Sequence, residues 1–240
     1  MRIAILSDFH GNRIAFEAVL SDLHQTSPDL ILHGGDLADS GSSPAWVVDC
    51  VRDLGWRGVA GNTDEMLFKP ESLREFAGKS PSLQPMFSAI AEMAAATREA
   101  LGEERLGWLA RLPRVQINSP VALVHASPED LWRAPLAGAA SAELETTYEA
   151  LGQLVAVYAH IHRPYTRTVS GMTVANTGSV SLSYDGDRRS AYLLLDGSQP
   201  TIRRVEYDLD RELKALSTCG LPHAAWIASM LLSGTPQPFC

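Results

Sequence analysis

Short apolar runs that stop at polar clusters recur along this chain. Ile3, Ala4, Ile5 and Leu6 form an unbroken apolar stretch, the pattern of a strand buried on both faces. It halts at Ser7, with Asp8 and His10 directly after it. Period-two geometry predicts that these two side chains point the same way. Phe16, Val19, Leu20 and Leu23 then follow at helical spacing, which predicts an amphipathic helix capped by Asn12 and ended before Ser27-Pro28. The alternation repeats: strand Leu30–Leu32 running into His33-Gly34-Gly35-Asp36, helix Pro44–Leu54, strand Arg57–Ala60 running into Gly61-Asn62-Thr63-Asp64. Three strand–helix units with polar residues at successive strand ends describe a doubly wound sheet.

The pattern changes over residues 65–111, which carry Pro70, Pro81 and Pro85 and then a stretch rich in Ala, Glu and Leu with no strand signal. This predicts a helical insertion over or beside the strand ends; two ordinary crossover helices remain the alternative. Strands resume at Val115–Ile117 and Val121–Val124, joined as a hairpin through Asn118-Ser119-Pro120, and the second runs into His125. A helix follows over Ser141–Leu151 with Ser141 as its cap. Next comes strand Leu154–Tyr158, ending in His160-Ile161-His162-Arg163. Further strands are expected at 166–169, 173–175, 191–195 and 202–205, and helices at 209–216 and 222–232. The 240 residues read as one domain, with no repeats or low-complexity tracts.

A net charge of −8 argues against general binding to nucleic-acid backbones or anionic membranes. A small phosphorylated partner remains compatible, because bound divalent cations reverse the local field. Cys50, Cys219 and Cys240 have no metal-type spacing. They are expected as reduced thiols in a cytoplasmic protein, and no segment has the shape of a signal peptide or membrane span.

Five strands thus end in Asp8/His10, Asp36, Asn62, His125 and His160/His162. One histidine at a strand end is ordinarily structural; five strand ends of this kind at one sheet edge are hard to obtain by chance. Carboxylate, imidazole and amide donors without a thiolate suit Mn²⁺, Fe²⁺, Zn²⁺, Ni²⁺ or Co²⁺. Seven donors suit two ions sharing a bridge, the arrangement used for hydrolysis of phosphate esters.

The motifs Asp8-Phe9-His10, Gly35-Asp36-Leu37-Ala38-Asp39, Gly61-Asn62-Thr63-Asp64, His125 and Ala159-His160-Ile161-His162 together resemble the calcineurin-like metallophosphoesterases. Asn176-Thr177-Gly178-Ser179 and Tyr192–Asp196 resemble its small bacterial phosphodiesterase-like branch. The resemblance implies an α/β fold, a four-layer α/β/β/α sandwich. It implies that Asp8, His10 and His162 hold a first metal, that Asn62, His125 and His160 hold a second, and that Asp36 bridges them, with manganese foremost. Asn62, Asp36, His125 and Asp64 would serve catalysis, with hydroxide generated at the metals attacking phosphorus in line. Asn62 and Arg163 would contact the substrate phosphate, a surface salt bridge being the plainer role for Arg163.

Two positions depart from the family pattern. Thr63 stands where many members carry a histidine that protonates the leaving group, and Ala159 stands in place of glycine. The resemblance therefore implies good leaving groups or a proton from water or another residue. His33 is one candidate, although packing at a strand end is the plainer reading. Asp39 and Asp64 are expected to orient ligands or to cap turns. Tyr165, Trp132 and Arg133 either line a pocket or pack, while His24 and His223 are structural or solvent-facing. The expected function is a phosphodiesterase. A phosphomonoesterase (a protein phosphatase or dinucleoside polyphosphate hydrolase) is the alternative, although Ser40-Gly41 after Asp39 replaces the Arg-Gly of those relatives. A non-catalytic metal-binding scaffold is the rival outside enzymes. The oligomeric state is open, a homo-oligomer included.

Overall fold

The chain folds around two five-stranded sheets laid face to face; the computed structural model describes residues 1–239. In the first sheet, β1 (Arg2–Leu6), β2 (Leu30–His33) and β3 (Arg57–Gly58) are parallel. The antiparallel strands β9 (Ser190–Asp196) and β10 (Gln199–Val205) extend it beyond β1. In the second, β5 (Val121–Val124), β6 (Val155–Tyr158) and β8 (Met172–Asn176) are parallel. There, β4 (Val115–Asn118) and β7 (Tyr165–Val169) run antiparallel at the edges. The four-layer sandwich implied by the resemblance is the fold found, and the doubly wound sheet described by the first strand–helix units is one of its two sheets.

Alternate positions along each central strand explain why its apolar run is unbroken. Ile3 and Ile5 meet Leu123, Val155 and Val157 between the sheets. Ala4 and Leu6 face Phe16 and Val19 of α1 (Arg13–Thr26) and Val47 and Val51 of α2 (Pro44–Asp53). On the far side, Ala156 and Tyr158 pack against Leu144 and Tyr148 of α6 (Ser141–Tyr148). The result is four layers, α/β/β/α.

Between β3 and β4 the chain is helical: α3 (Asn62–Phe68), α4 (Glu71–Ala77) and α5 (Gln84–Leu109), the last broken at Gly102 where φ is +69°. Two helices close the chain, α7 (Leu209–Leu216) and α8 (Ala224–Ser233). Among the described residues, no helix is long and apolar enough to cross a membrane. Cys50 and Cys219 are free thiols, and Cys240 lies outside the described residues.

Two boundaries differ from the sequence reading for identifiable reasons. Strand β3 stops at Gly58, because the Ala60 N–H donates to Pro113 O at 2.9 Å rather than into the ladder. Ala140, not Ser141, occupies the N-cap of α6, and the Ser141 hydroxyl instead accepts from Arg167 at 2.8 Å.

One buried carboxyl outside the strand ends is unusual. Glu212 of α7 is fully buried, accepts from the Ser42 hydroxyl at 3.0 Å, and has no partner for its second oxygen. Burial pushes its pKa from 4.5 to about 7. A carboxyl raised on folding contributes stability that is present below about pH 4.5 and lost as pH climbs towards 7. Glu212→Gln should therefore stabilise the protein by about 2 kcal/mol at pH 8 and far less at pH 5. Thermal melts at the two pH values check this; equal shifts at both would show that the carboxyl does not titrate in that window.

Candidate metal centre

The loops after β1 and β2 continue the ladder beyond the strands. Asp8 N–H donates to Gly35 O, His10 N–H to Asp36 O and Gly11 N–H to Leu37 O, at 2.9–3.0 Å. Within these loops the backbone turns left-handed at Asp8, Asp36 and His10, with φ of 54°, 54° and 47°. His160 and His162 do the same at 67° and 54°. Five of the seven expected donors thus sit in a conformation that costs a non-glycine residue of order 1 kcal/mol or more and clusters at functional sites. The period-two alignment expected for Asp8 and His10 does not apply, because both lie beyond the end of β1 at Leu6. Close approach is built in at Gly61, where a Cβ would lie 2.6 Å from the Asp36 nitrogen.

All seven side chains converge, from two sheets rather than from one edge. Asp8, His10, Asp36 and His162 place donor atoms within 4.8 Å of one another. Beside them, Asn62 Oδ1 lies 2.9 Å from both His125 Nε2 and His160 Nδ1. Asp36 presents Oδ2 to His10 Nε2 at 3.8 Å and Oδ1 to His125 Nε2 at 3.6 Å.

Hydrogen bonding fixes the imidazole tautomers. His10 Nδ1 lies 3.0 Å from Asp39 O, His162 Nδ1 lies 2.6 Å from Leu182 O, and His125 Nδ1 lies 2.7 Å from Gly34 O. A carbonyl only accepts, so in the neutral rings each Nδ1 carries the proton and each Nε2 offers a lone pair. The His10 and His162 Nε2 atoms are nevertheless only 3.2 Å apart. The buried Asp8 Oδ1, without a hydrogen bond, is 3.2 Å from the latter. At His125, Nε2 likewise faces a carbonyl-type oxygen of Asn62. Acceptors facing acceptors repel unless a cation lies among them, so the donor set fits divalent metal at both clusters.

Electrostatics favour the same reading. Burial raises the Asp8 carboxyl, but His162, His125 and His10 outweigh it and hold the pKa below the usual range. Burial lowers His125, yet Asp36 and Asp8 reverse this and leave it raised, so positive charge is favourable there. His10 is pushed down by burial and His162. His160 is pushed to about 4 by burial and His125.

The residues around the donors hold them through backbone carbonyls, carboxylates and hydroxyls. Asp39 orients His10 through its backbone carbonyl, while its carboxylate, raised to about 6 mainly by burial, accepts from Ser40 and Thr97. Asp64, expected both among the catalytic residues and as an orienting or capping group, accepts through its buried carboxylate from the N–H groups of Asp36, Leu37 and Gly61, the contacts of a positioning residue. Sequence reasoning missed Ser7, whose hydroxyl donates to Asp8 Oδ2 and meets Thr177. It also missed Tyr184, whose ring stacks on His162 at 4.4 Å. The Asn176–Ser179 segment buttresses both loops, since Ser179 donates to Asp8 O and Asn176 to Ala159 O.

His33 is not brought to the centre. It points into the helical layer 6.3 Å from the Trp108 ring, its ring nitrogens lack partners, and burial lowers its pKa to about 4. The Thr63 hydroxyl is buried and unpaired in the pocket that opens over the donors. Arg163 is exposed and shares a neighbouring hollow with His160, apart from the pocket that contains Asn62. Trp132 lines the pocket, Tyr165 packs through its hydroxyl against Tyr158, and Arg133 is exposed. His24 is exposed, and His223 lies 2.9 Å from Glu92.

Comparison with known proteins places this geometry. A model of the calcineurin-like phosphoesterase superfamily domain matches residues 1–199. An uncharacterized protein of Methanocaldococcus jannaschii is 27% identical, covering 97% of this chain and 98% of its own. A probable cyclic nucleotide phosphodiesterase of Synechococcus is 41% identical over 76 residues, 30% of this chain and 28% of that protein. The crystal structure of a metallophosphoesterase from Sphaerobacter thermophilus superposes with a TM-score of 0.79 at 26% identity, covering 98% of this chain and 100% of that one.

Proposed function

This chain belongs to the calcineurin-like phosphoesterase superfamily, and from that premise we propose that it is a two-metal phosphodiesterase acting on a small phosphorylated substrate. The observation that carries the reading is Asp36, which offers one carboxylate oxygen to each of two convergent donor sets. Asp8, His10 and His162 would hold one ion and Asn62, His125 and His160 the other, with Mn²⁺ first among Fe²⁺, Zn²⁺, Ni²⁺ and Co²⁺. Bound divalent ions of this kind supply hydroxide at neutral pH and neutralise phosphoryl charge.

The chain's own residues do the rest. The Nδ1–H bonds of His10, His162 and His125 to backbone carbonyls lock each ring in place, so that little rearrangement is needed when substrate arrives. Thr63, at the pocket wall, can hydrogen-bond a phosphoryl or leaving oxygen but is a poor proton donor near neutral pH. His33, turned away towards Trp108, does not replace the missing histidine. This favours esters with good leaving groups and, with the Synechococcus relative's description, diesters over monoesters.

Metal-stripped protein assayed with bis(p-nitrophenyl) phosphate and p-nitrophenyl phosphate, with and without added Mn²⁺, tests the proposal. Mn²⁺-dependent turnover favouring the diester is expected. Turnover of the monoester alone would assign a monoesterase, and none with either, despite bound metal, would leave a scaffold.

A further inference from the structure

The donors form only the floor of a cavity of about 310 Å³, at the small end of the range for ligand pockets. Its walls come from elements that contribute no donor except Asn62. On one side stand Met66 of α3 and Met86, Phe87, Ile90 and Met93 of α5. On the other stand Trp226, Ile227 and Met230 of α8, which lies beyond the residues that the superfamily model matches. His223, at the start of α8, meets Glu92 of α5 at 2.9 Å and ties the two walls together.

Apart from the unpaired Thr63 hydroxyl beside the donors, the polar atoms of these walls are largely engaged. The Trp132 indole N–H donates to Glu65 at 2.8 Å, and that of Trp226 donates to Gln237 O at 3.0 Å. The Tyr184 hydroxyl lies against the Met230 sulfur. What remains facing the cavity above the donors is mostly carbon and sulfur, and no lysine or arginine lines it. A second phosphate, a sugar or a charged base placed there would lose water without gaining partners. An apolar group would gain its full transfer energy, and four flexible methionine side chains can mould to its shape.

We infer that the organic moiety of the substrate is apolar and uncharged, an aryl or alkyl group held between α5 and α8 while the phosphate lies on the donors. The inference rests on the phosphoesterase reading and adds a substrate class to it.

Three p-nitrophenyl diesters share one leaving group and differ in the second ester: phenyl, methyl and thymidine 5′. The expected kcat/KM for the phenyl ester exceeds the other two by about tenfold or more, as burial of a ring predicts. Ile90→Asn should collapse the phenyl-to-methyl ratio towards one. Equal rates, preference for the thymidine ester, or a ratio unmoved by Ile90→Asn would overturn the inference while leaving the phosphoesterase intact. Binding read by tryptophan fluorescence separates the two if none of the esters turns over. In the metal-loaded protein, phenylphosphonate should bind about tenfold tighter than methylphosphonate. Equal affinities would overturn the pocket assignment, whereas absent turnover with that preference retained would overturn only the phosphoesterase.

Discussion

Asp36→Asn is expected to lower kcat/KM for an activated diester by about 10³-fold, equivalent to about 4 kcal/mol of transition-state stabilisation. The substitution isolates charge. Asp36 sits at φ 54°, a conformation that asparagine tolerates better than most residues. An amide oxygen could still accept the Thr63 N–H that Asp36 Oδ1 accepts at 2.9 Å. What disappears is the anion that faces His10 on one side and His125 on the other. The melting profile of the metal-free variant should therefore stay close to wild type, while bound Mn²⁺ measured by elemental analysis drops below two per chain. An unchanged rate would sink the two-metal reading.

The largest effect on stability is expected at Asp64. It is the third residue of α3, and its carboxylate reaches back to the Gly61 N–H as half of a capping box. The same carboxylate accepts from the N–H groups of Asp36 at 2.8 Å and Leu37 at 2.9 Å, so one side chain ties the loop after β2 to the loop after β3. Burial and then Asp36 raise its pKa to about 6, against the lowering effect of these backbone donors. Asp64→Ala leaves three buried N–H groups without partners, each worth about 1–3 kcal/mol. Water entering the space recovers part of that, so a net loss of about 4 kcal/mol is expected, a large share of the usual 5–15 kcal/mol. Urea unfolding at pH 7 measures it. A loss below about 1 kcal/mol would show that the loops hold themselves without this carboxylate.

Most of the donors were legible in the sequence because they follow an apolar strand within a few residues: Asp8 after Leu6, His125 after Val124, His160 after Tyr158. Such local order survives folding, and so do the helices, whose apolar spacing is a property of the chain alone. The limit of that legibility is equally physical. Ile3–Leu6 is apolar at every position because both faces are covered, and the run reads the same whether the cover is a helix or a second sheet. The strand–helix pattern alone therefore describes one sheet, and the second enters the expectation only through the motifs' resemblance to a family of sandwich fold.

The sequence by itself thus determined which side chains are candidate metal donors and that they stand just beyond strand ends. Only the tertiary structure decided how they meet: seven donors drawn from two sheets, sorted into two sets that share Asp36. It also decided what orients them, since His10, His125 and His162 lean on the carbonyls of Asp39, Gly34 and Leu182. Every residue owns a carbonyl, so such a contact leaves no mark in the residue type. The pocket between α5 and α8 was hidden for a related reason. An apolar helical face is written identically whether it seals a core or lines a cavity, and only the packing of elements more than a hundred residues apart leaves this one open.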